Sequence, residues 1–144
     1  MSPAPPTETL HASAVALGTK GLLITGRSGA GKSSLALELM ARGATLIADD
    51  GVMIRAEGPD TLTLRAPDTI AGRIEARSLG LIAVPHTSAI AQAVVTLDEI
   101  ETDRLPVAHE IVLGGVTLPL LRKVESPAFP AMLIAYLTGE RIEP

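Results

Sequence analysis

The 144-residue chain has the length of one domain, because compact domains cluster near about 100 to 150 residues, and this excludes a two-domain enzyme. Its composition, 47% hydrophobic and 19% charged, is that of a globular protein and not of a disordered chain. The absence of cysteine excludes disulfides, thiolate metal sites and a cysteine nucleophile, and a net charge of −4 with one Phe and one Tyr argues against nucleic-acid binding.

The amino-terminal segment is predicted to be a tail. Residues 2–9 contain three prolines and no apolar periodicity, so we expect a disordered lead-in over residues 1–10 and a single domain over residues 11–144. The amino terminus has neither a basic end nor a hydrophobic segment, and no apolar run approaches the roughly 18 residues that span a bilayer. These features predict a soluble, cytoplasmic protein with no membrane partner.

The first structured part of the chain is predicted to be two strands, a glycine-rich loop and a helix. The strands lie at residues 12–17 and 21–25, and the second is apolar enough to be buried on both faces. The loop consists of Gly26, Arg27, Ser28, Gly29, Ala30, Gly31, Lys32 and Ser33. Residues 34–41 favour a helix, which Gly43 would end as a left-handed cap.

The loop matches the phosphate-binding pattern GxxxxGK[ST] between a buried strand and a helix, which is the context that this pattern requires. Its glycines let backbone N–H groups wrap around a pyrophosphate, and the helix start adds further donors and the positive end of its dipole. In such a site Lys32 bridges the β- and γ-phosphates of ATP, and the Ser33 hydroxyl holds Mg²⁺. The alternative is a glycine-rich turn that matches the pattern by chance.

Two acidic residues, Asp49 and Asp50, are predicted to lie beside this loop. The helix runs back along the sheet by about 15 Å, and the strand at residues 45–48 returns in parallel, so both carboxylates reach the edge where open α/β sheets bind ligands. Either carboxylate can orient Mg²⁺ through water or accept the proton of an attacking hydroxyl. The residues alone do not assign these roles, and a simple turn with a positive φ at Gly51 is the alternative.

After Gly51 the pattern stops alternating strand with helix. Extended runs predict two hairpins, at residues 52–65 around a turn at 57–60 and at residues 110–121 around Gly114 and Gly115. Strands are expected at residues 81–84 and 93–97, and a last helix at residues 127–137 between a capping Ser126 and Gly139. The pattern therefore predicts a small, strand-rich α/β kinase domain with a phosphate loop, one helix after it and added β-hairpins.

The chain resembles a known family over two stretches. The run ITGRSGAGKSSLALELMARGATLIADDGV and the later run GRIEARSLGLIAV are similar to the catalytic domain of HPr kinase/phosphorylase, which phosphorylates a regulatory serine of the bacterial phosphocarrier protein HPr. The family has a His about fifteen residues before the first Gly of the loop, and His11 lies fifteen before Gly26. Its IEVRGLG signature appears here as residues 74–80, and its Asp-Arg-Leu as residues 103–105.

The resemblance implies a fold and roles for several residues. The fold would be like that of phosphoenolpyruvate carboxykinase, and the loop at residues 26–33 would bind ATP. Asp50 would be the base that takes the serine proton, while Ser33 and Glu75 would hold Mg²⁺. Asp49 is a further metal candidate from its predicted position beside the loop. His11 and Arg104 would be auxiliary active-site groups, with Arg104 stabilising charge on the transferring phosphoryl group.

This chain also departs from the family pattern. Full-length members carry an additional amino-terminal domain, and their carboxyl-terminal PVRPGRN stretch, linked to the phosphorylase reaction, is replaced here by residues 121–127 without Gly-Arg-Asn. The Gly after the signature Arg is Ser78. We therefore expect ATP-dependent phosphorylation of HPr more than its phosphorolytic reversal, in a homo-oligomer that the family resemblance makes a hexamer.

Two other classes of function fit the same loop. A nucleotide-binding regulator would use it as a switch without a protein substrate, and a small-molecule kinase would transfer the phosphoryl group to a metabolite. No NKxD segment, which reads guanine, is present in the sequence. A GTPase is therefore the less expected class, and ATP is the nucleotide that the family resemblance implies.

Overall fold

The structure, a computed structural model, describes residues 7–140 and residue 142. Its strands are β1 (Glu8–Leu10), β2 (Ser13–Leu17), β3 (Lys20–Thr25), β4 (Thr45–Ala48), β5 (Val52–Ala56), β6 (Leu62–Arg65), β7 (Arg73–Ala76), β8 (Gly80–Ala83), β9 (Ala89–Ile100), β10 (Glu110–Leu113) and β11 (Val116–Lys123). Its helices are α1 (Lys32–Met40) and α2 (Phe129–Thr138). The fold is therefore α/β and rich in strands, as the sequence predicts.

Strand β9 organises the main sheet, whose order is β1-β5-β6-β9-β3-β2-β4. One edge of β9 pairs in parallel with β3, while the other edge pairs with β6 near its start and with β11 further along. Strand β2 pairs antiparallel with both β3 and β4, so β4 runs parallel to β3, as predicted. The carboxyl ends of β3, β4 and β9 therefore meet at one edge of the sheet, which is where α/β sheets bind ligands.

Successive side chains along a strand point to opposite faces, and in the central strands the side chains on both faces are buried. In β3, Leu22 and Ile24 pack in the cluster that includes α1 and α2, whereas Leu23 packs in the cluster that includes β5 and β6. All three side chains are fully buried. The prediction that this strand is buried on both faces is confirmed.

Most of the predicted local elements are confirmed. Helix α1 follows the glycine loop, and Gly43 has a φ of 105°, the left-handed conformation expected of the residue that ends a helix. Both predicted hairpins form, as β5 with β6 and as β10 with β11. Helix α2 ends at the predicted Gly139 but begins later than expected. Its N-cap is Ala128, whose N–H donates to Ser126 Oγ at 3.1 Å.

The prediction of a disordered lead-in over residues 1–10 is wrong for residues 8–10, which the structure describes as a strand. Residues 8–10 form strand β1, which pairs antiparallel with β5, and Leu10 packs against the core. The β-branched Thr9 favours an extended edge strand once a partner strand is available, and the prolines that suggested a tail precede this strand. Residues 1–6 lie outside the described part of the chain. The strand at 73–76 was not predicted, and it pairs with β8 in a separate two-stranded sheet.

Helix α1 is held on the sheet by its apolar face, so its stability can be tested with one leucine. Leu39 is fully buried between α1 and the sheet, and we expect Leu39→Ala to lower the free energy of unfolding by about 2–5 kcal/mol through the cavity it leaves. Leu79 is 82% exposed in the β7–β8 turn, and Leu79→Ala should change the same free energy by less than about 0.5 kcal/mol. Urea unfolding of both variants measures the difference, and equal losses would contradict this packing.

Candidate active site

The glycine loop connects β3 to α1 at the carboxyl end of the strand. Gly29 and Gly31 have φ values of 84° and 101°, which side-chain-bearing residues rarely adopt. Gly31 is also the N-cap of α1 and supplies no side-chain cap. Because the first N–H groups of a helix lack intrahelical acceptors, they remain available to an anion at this point.

Two charged side chains hold the loop in place. Lys32 is 8% exposed, and its ammonium donates hydrogen bonds to the carbonyls of Gly26 at 2.7 Å and Arg27 at 3.1 Å. The Arg27 N–H in turn donates to Asp98 Oδ1 at 3.0 Å. Asp98 lies near the end of β9, beside the phosphate loop. Sequence reasoning missed it, although an acidic residue near the end of a strand parallel to β3 was a usable signal.

Asp49 is a buried acceptor on which several elements converge. Its Oδ1 accepts hydrogen bonds from the Ser33 and Ser13 hydroxyls, each at 2.7 Å, and its Oδ2 accepts one from the Glu75 N–H at 3.1 Å. Ser13 is the first residue of β2 and is fully buried. Sequence reasoning did not single out Ser13, although a hydroxyl in an otherwise apolar strand two residues after His11 was a possible signal. These bonds fix the carboxylate beside the start of α1.

The oxygen atoms around Asp49 fit a hard divalent cation. Mg²⁺ is usually held by one or two protein carboxylates together with substrate phosphates and waters. The hydroxyl of Ser33 and the carboxylates of Asp49 and Glu75 are such donors, and all three residues line the cleft. Over residues 7–140 and 142, no group of three His, Cys, Asp or Glu side chains forms a metal cage made by protein alone. The oxygen atoms of the predicted ligands are of the kind that Mg²⁺ takes from a protein.

Asp50 has a different environment from its neighbour. Its side chain is 75% exposed, and its Oδ1 lies 3.1 Å from His11 Nδ1. His11 Nε2 lies 3.4 Å from the Ser28 hydroxyl of the loop. The residue with positive φ in this turn is Asp50 itself, at 62°, and not Gly51. The two aspartates thus face different partners, one enclosed against Ser33 and one open beside His11.

These side chains surround one cleft with a volume of about 440 Å³. Its lining consists of His11, Ser13, Ser28, Gly29, Gly31, Lys32, Ser33, Ser34, Asp49, Asp50, Glu75 and Arg77. The structure therefore brings together five residues of the predicted loop, both aspartates, His11 and Glu75, while Gly26, Arg27 and Ala30 of the loop do not line the cleft. Arg104 is not among the lining residues and lies exposed in the segment between β9 and β10.

The hydrogen bond from Ser13 gives a prediction about metal binding. Side chains that orient a metal ligand typically change metal affinity about 10- to 100-fold when they are removed. We expect Ser13→Ala to weaken Mg²⁺-dependent nucleotide binding by about tenfold, because Asp49 loses one of its three donors. Titration of Mg²⁺ with a fluorescent nucleotide measures this change. Ser126→Ala removes a hydrogen-bonded hydroxyl outside the cleft and serves as the control. An unchanged Mg²⁺ titration of folded Ser13→Ala would contradict the role.

The chain is similar to one family of kinases. The family model for the HPr Serine kinase C-terminal domain matches residues 4–102. The HPr kinase/phosphorylase of Bacillus velezensis is 52% identical over 79 residues, and that of Bacillus subtilis is 51% identical over 79 residues. Each alignment covers 55% of this chain and 26% of the relative, so the chain matches about a quarter of the length of these curated proteins.

A solved structure has the same fold. The Hpr(Ser) kinase/phosphatase from Coxiella burnetii superposes with a TM-score of 0.70 at 22% sequence identity. The match covers 88% of this chain and 91% of that chain. No helix in the described part of the chain is both long and apolar enough to cross a membrane.

Proposed function

The chain belongs to the HPr Serine kinase C-terminal domain family, and on that basis we propose that it transfers the γ-phosphoryl group of ATP to a serine of the phosphocarrier protein HPr. The names of its curated relatives support this substrate. In the transfer, a bond forms between the serine oxygen and the γ-phosphorus, the bond from that phosphorus to the bridging oxygen breaks, and ADP leaves.

The observation that carries the proposal is that the two aspartates have different environments. Asp49 is buried and accepts three hydrogen bonds, one of them from Ser33. Asp50 is open to the cleft and pairs with His11. An enclosed carboxylate beside the start of α1 suits metal binding, whereas an exposed one suits contact with a side chain that arrives on another protein.

The residues of the cleft then have separate tasks. The backbone N–H groups of the loop and Lys32 bind the phosphates, and Asp50 accepts the serine proton while His11 positions Asp50 through Nδ1. The metal ligands would be Ser33, Asp49 and Glu75, and the Mg²⁺ they hold would neutralise charge on the phosphates. Arg104 as a stabiliser of the transferring group remains a prediction of the family resemblance.

Labelled ATP tests the proposal directly. The chain is incubated with γ-³²P-ATP, Mg²⁺ and purified HPr, and the labelled residue is mapped by mass spectrometry. We expect label on a single serine of HPr, and loss of that label when EDTA replaces Mg²⁺. Slow ATP hydrolysis that HPr does not change would favour a nucleotide-binding regulator, and transfer to a metabolite would favour a small-molecule kinase. Either result would overturn the proposal.

A further inference from the structure

A second cavity lies away from the phosphate loop, between α2, β11 and the segment at residues 101–109. Its volume is about 160 Å³. Phe129, Met132 and Leu133 of α2 and Leu121 of β11 supply apolar walls. A cavity of ~150 Å³ with an apolar lining is known to hold a benzene ring. The space therefore suits an apolar group of about that size.

Besides Glu101 and His109, the wall of this cavity holds the guanidinium of Arg122. Its only ion pair in the described part of the chain is with Glu99, a half-exposed carboxylate 3.3 Å from one terminal nitrogen. Its Nε is enclosed and has no hydrogen-bond acceptor among the described residues. Buried donors in native proteins normally have a partner, and a guanidinium offers five N–H donors in a planar fork that matches a carboxylate. Because Nε is enclosed, an anion in the cavity would meet the terminal nitrogens of Arg122 and not this donor.

The acidic residue in the lining, Glu101, is already engaged. Its Oε2 accepts a hydrogen bond from the Asp103 N–H at 3.2 Å, within the segment that forms the outer wall. This bond directs Glu101 to the backbone of its own segment. This hydrogen bond does not remove the Glu101 carboxylate from the lining, so an anionic ligand is favoured at the Arg122 end of the cavity.

We propose that this cavity binds a small monocarboxylate with a compact apolar body, such as one aromatic ring or a branched aliphatic chain. The body lies against Phe129, Met132 and Leu133, and the carboxylate pairs with Arg122. The wall residues Pro106 and Val107 belong to the same segment as Arg104. A bound ligand therefore contacts the segment that carries that arginine.

Three probes of similar shape test the proposal: benzoate, benzyl alcohol and benzylamine. Each is titrated into ¹⁵N-labelled protein without nucleotide or HPr, so the outcome does not depend on the proposed kinase activity. We expect saturable shifts of amides in α2 and residues 101–109 with benzoate. Affinity should be at least tenfold lower for benzyl alcohol and lower still for benzylamine. Shifts confined to residues 26–33 would place benzoate in the phosphate loop and overturn the proposal.

Two variants separate the charge from the shape. Arg122→Gln should reduce benzoate affinity to that of benzyl alcohol, whereas Arg65→Gln, at an exposed arginine of β6, should leave it unchanged. Met132 is 44% exposed at the cavity, so Met132→Trp should fill the space without unfolding the chain and should abolish binding of all three probes. Equal affinity of native protein and Arg122→Gln for benzoate would overturn the proposal. The proposal would also be overturned if no probe bound and the chain self-associated in a way that Met132→Trp disrupts. A second copy of the chain would then occupy the site.

Discussion

Lys32→Ala should transfer phosphoryl groups to HPr at least about 100-fold more slowly than the native chain, because it loses a positive charge beside the developing charge of the transition state. Removal of one such donor in other enzymes lowers kcat by about 10²–10³. The same ammonium also holds the loop through the carbonyls of Gly26 and Arg27. The variant should therefore also bind ATP more weakly. Initial rates with labelled ATP and HPr measure the first effect, and equilibrium titration with a fluorescent nucleotide measures the second.

Lys20→Ala is the matched control, because Lys20 begins the same strand that leads into the phosphate loop but lies at its other end. Its ammonium donates to the Leu137 carbonyl of α2 and does not line the cleft. We expect its transfer rate to stay within about twofold of native. Urea unfolding of both variants checks that the fold persists. Native transfer by a folded Lys32→Ala would show that the loop does not bind the reacting phosphates.

Asp50→Asn should lower phosphoryl transfer by about 10²–10⁴, the usual contribution of a general base, while ATP affinity changes by less than about threefold. The amide keeps the shape of the side chain but accepts no proton at neutral pH. Asparagine also tolerates the left-handed conformation of this residue, where φ is 62°, better than alanine does. The substitution therefore tests the chemistry with little change to the backbone. Single-turnover transfer to HPr at saturating ATP measures the effect.

The control for this experiment is Asp60→Asn, in the exposed turn between β5 and β6 and outside the lining of the cleft. It should leave transfer unchanged. His11→Gln is a useful comparison, because His11 contacts Asp50. If His11 acts only by positioning Asp50, its substitution should lower the transfer rate less than Asp50→Asn does. A near-native rate for Asp50→Asn with a large loss for His11→Gln would reverse the two roles.

The sequence predicted the phosphate loop and its surroundings because they depend on local chemistry. A buried apolar strand, glycines that permit positive φ, and a helix ended by Gly43 are readable within about 25 residues of chain. Parallel strands then carry the Asp49–Asp50 pair to the same edge. The placement of both aspartates beside the loop is confirmed by the contacts to Ser33 and His11.

The remaining features depend on partners distant in sequence. Strand β1 is an edge strand that β5 stabilises across more than forty residues, and no local pattern shows that pairing. Ser13 and Asp98 act through hydrogen bonds to Asp49 and to the Arg27 N–H, so neither belongs to a motif. The roles of Glu75 and Arg104, the hexameric state and the HPr substrate remain predictions, because each concerns a molecule that binds to this chain.

Strand β9 makes part of the chain intolerant of changes in length. Near its end Asp98 supports the phosphate loop, and the next residue, Glu99, pairs with Arg122 beside the second cavity. One inserted residue upstream in the strand would turn every following side chain to the opposite face. The hydrogen bond between Asp98 and the loop and the ion pair between Glu99 and Arg122 would both be lost. The same insertion in the turn at residues 57–60 would only lengthen the tip of a hairpin, so size variation is tolerated there and not in the central strand.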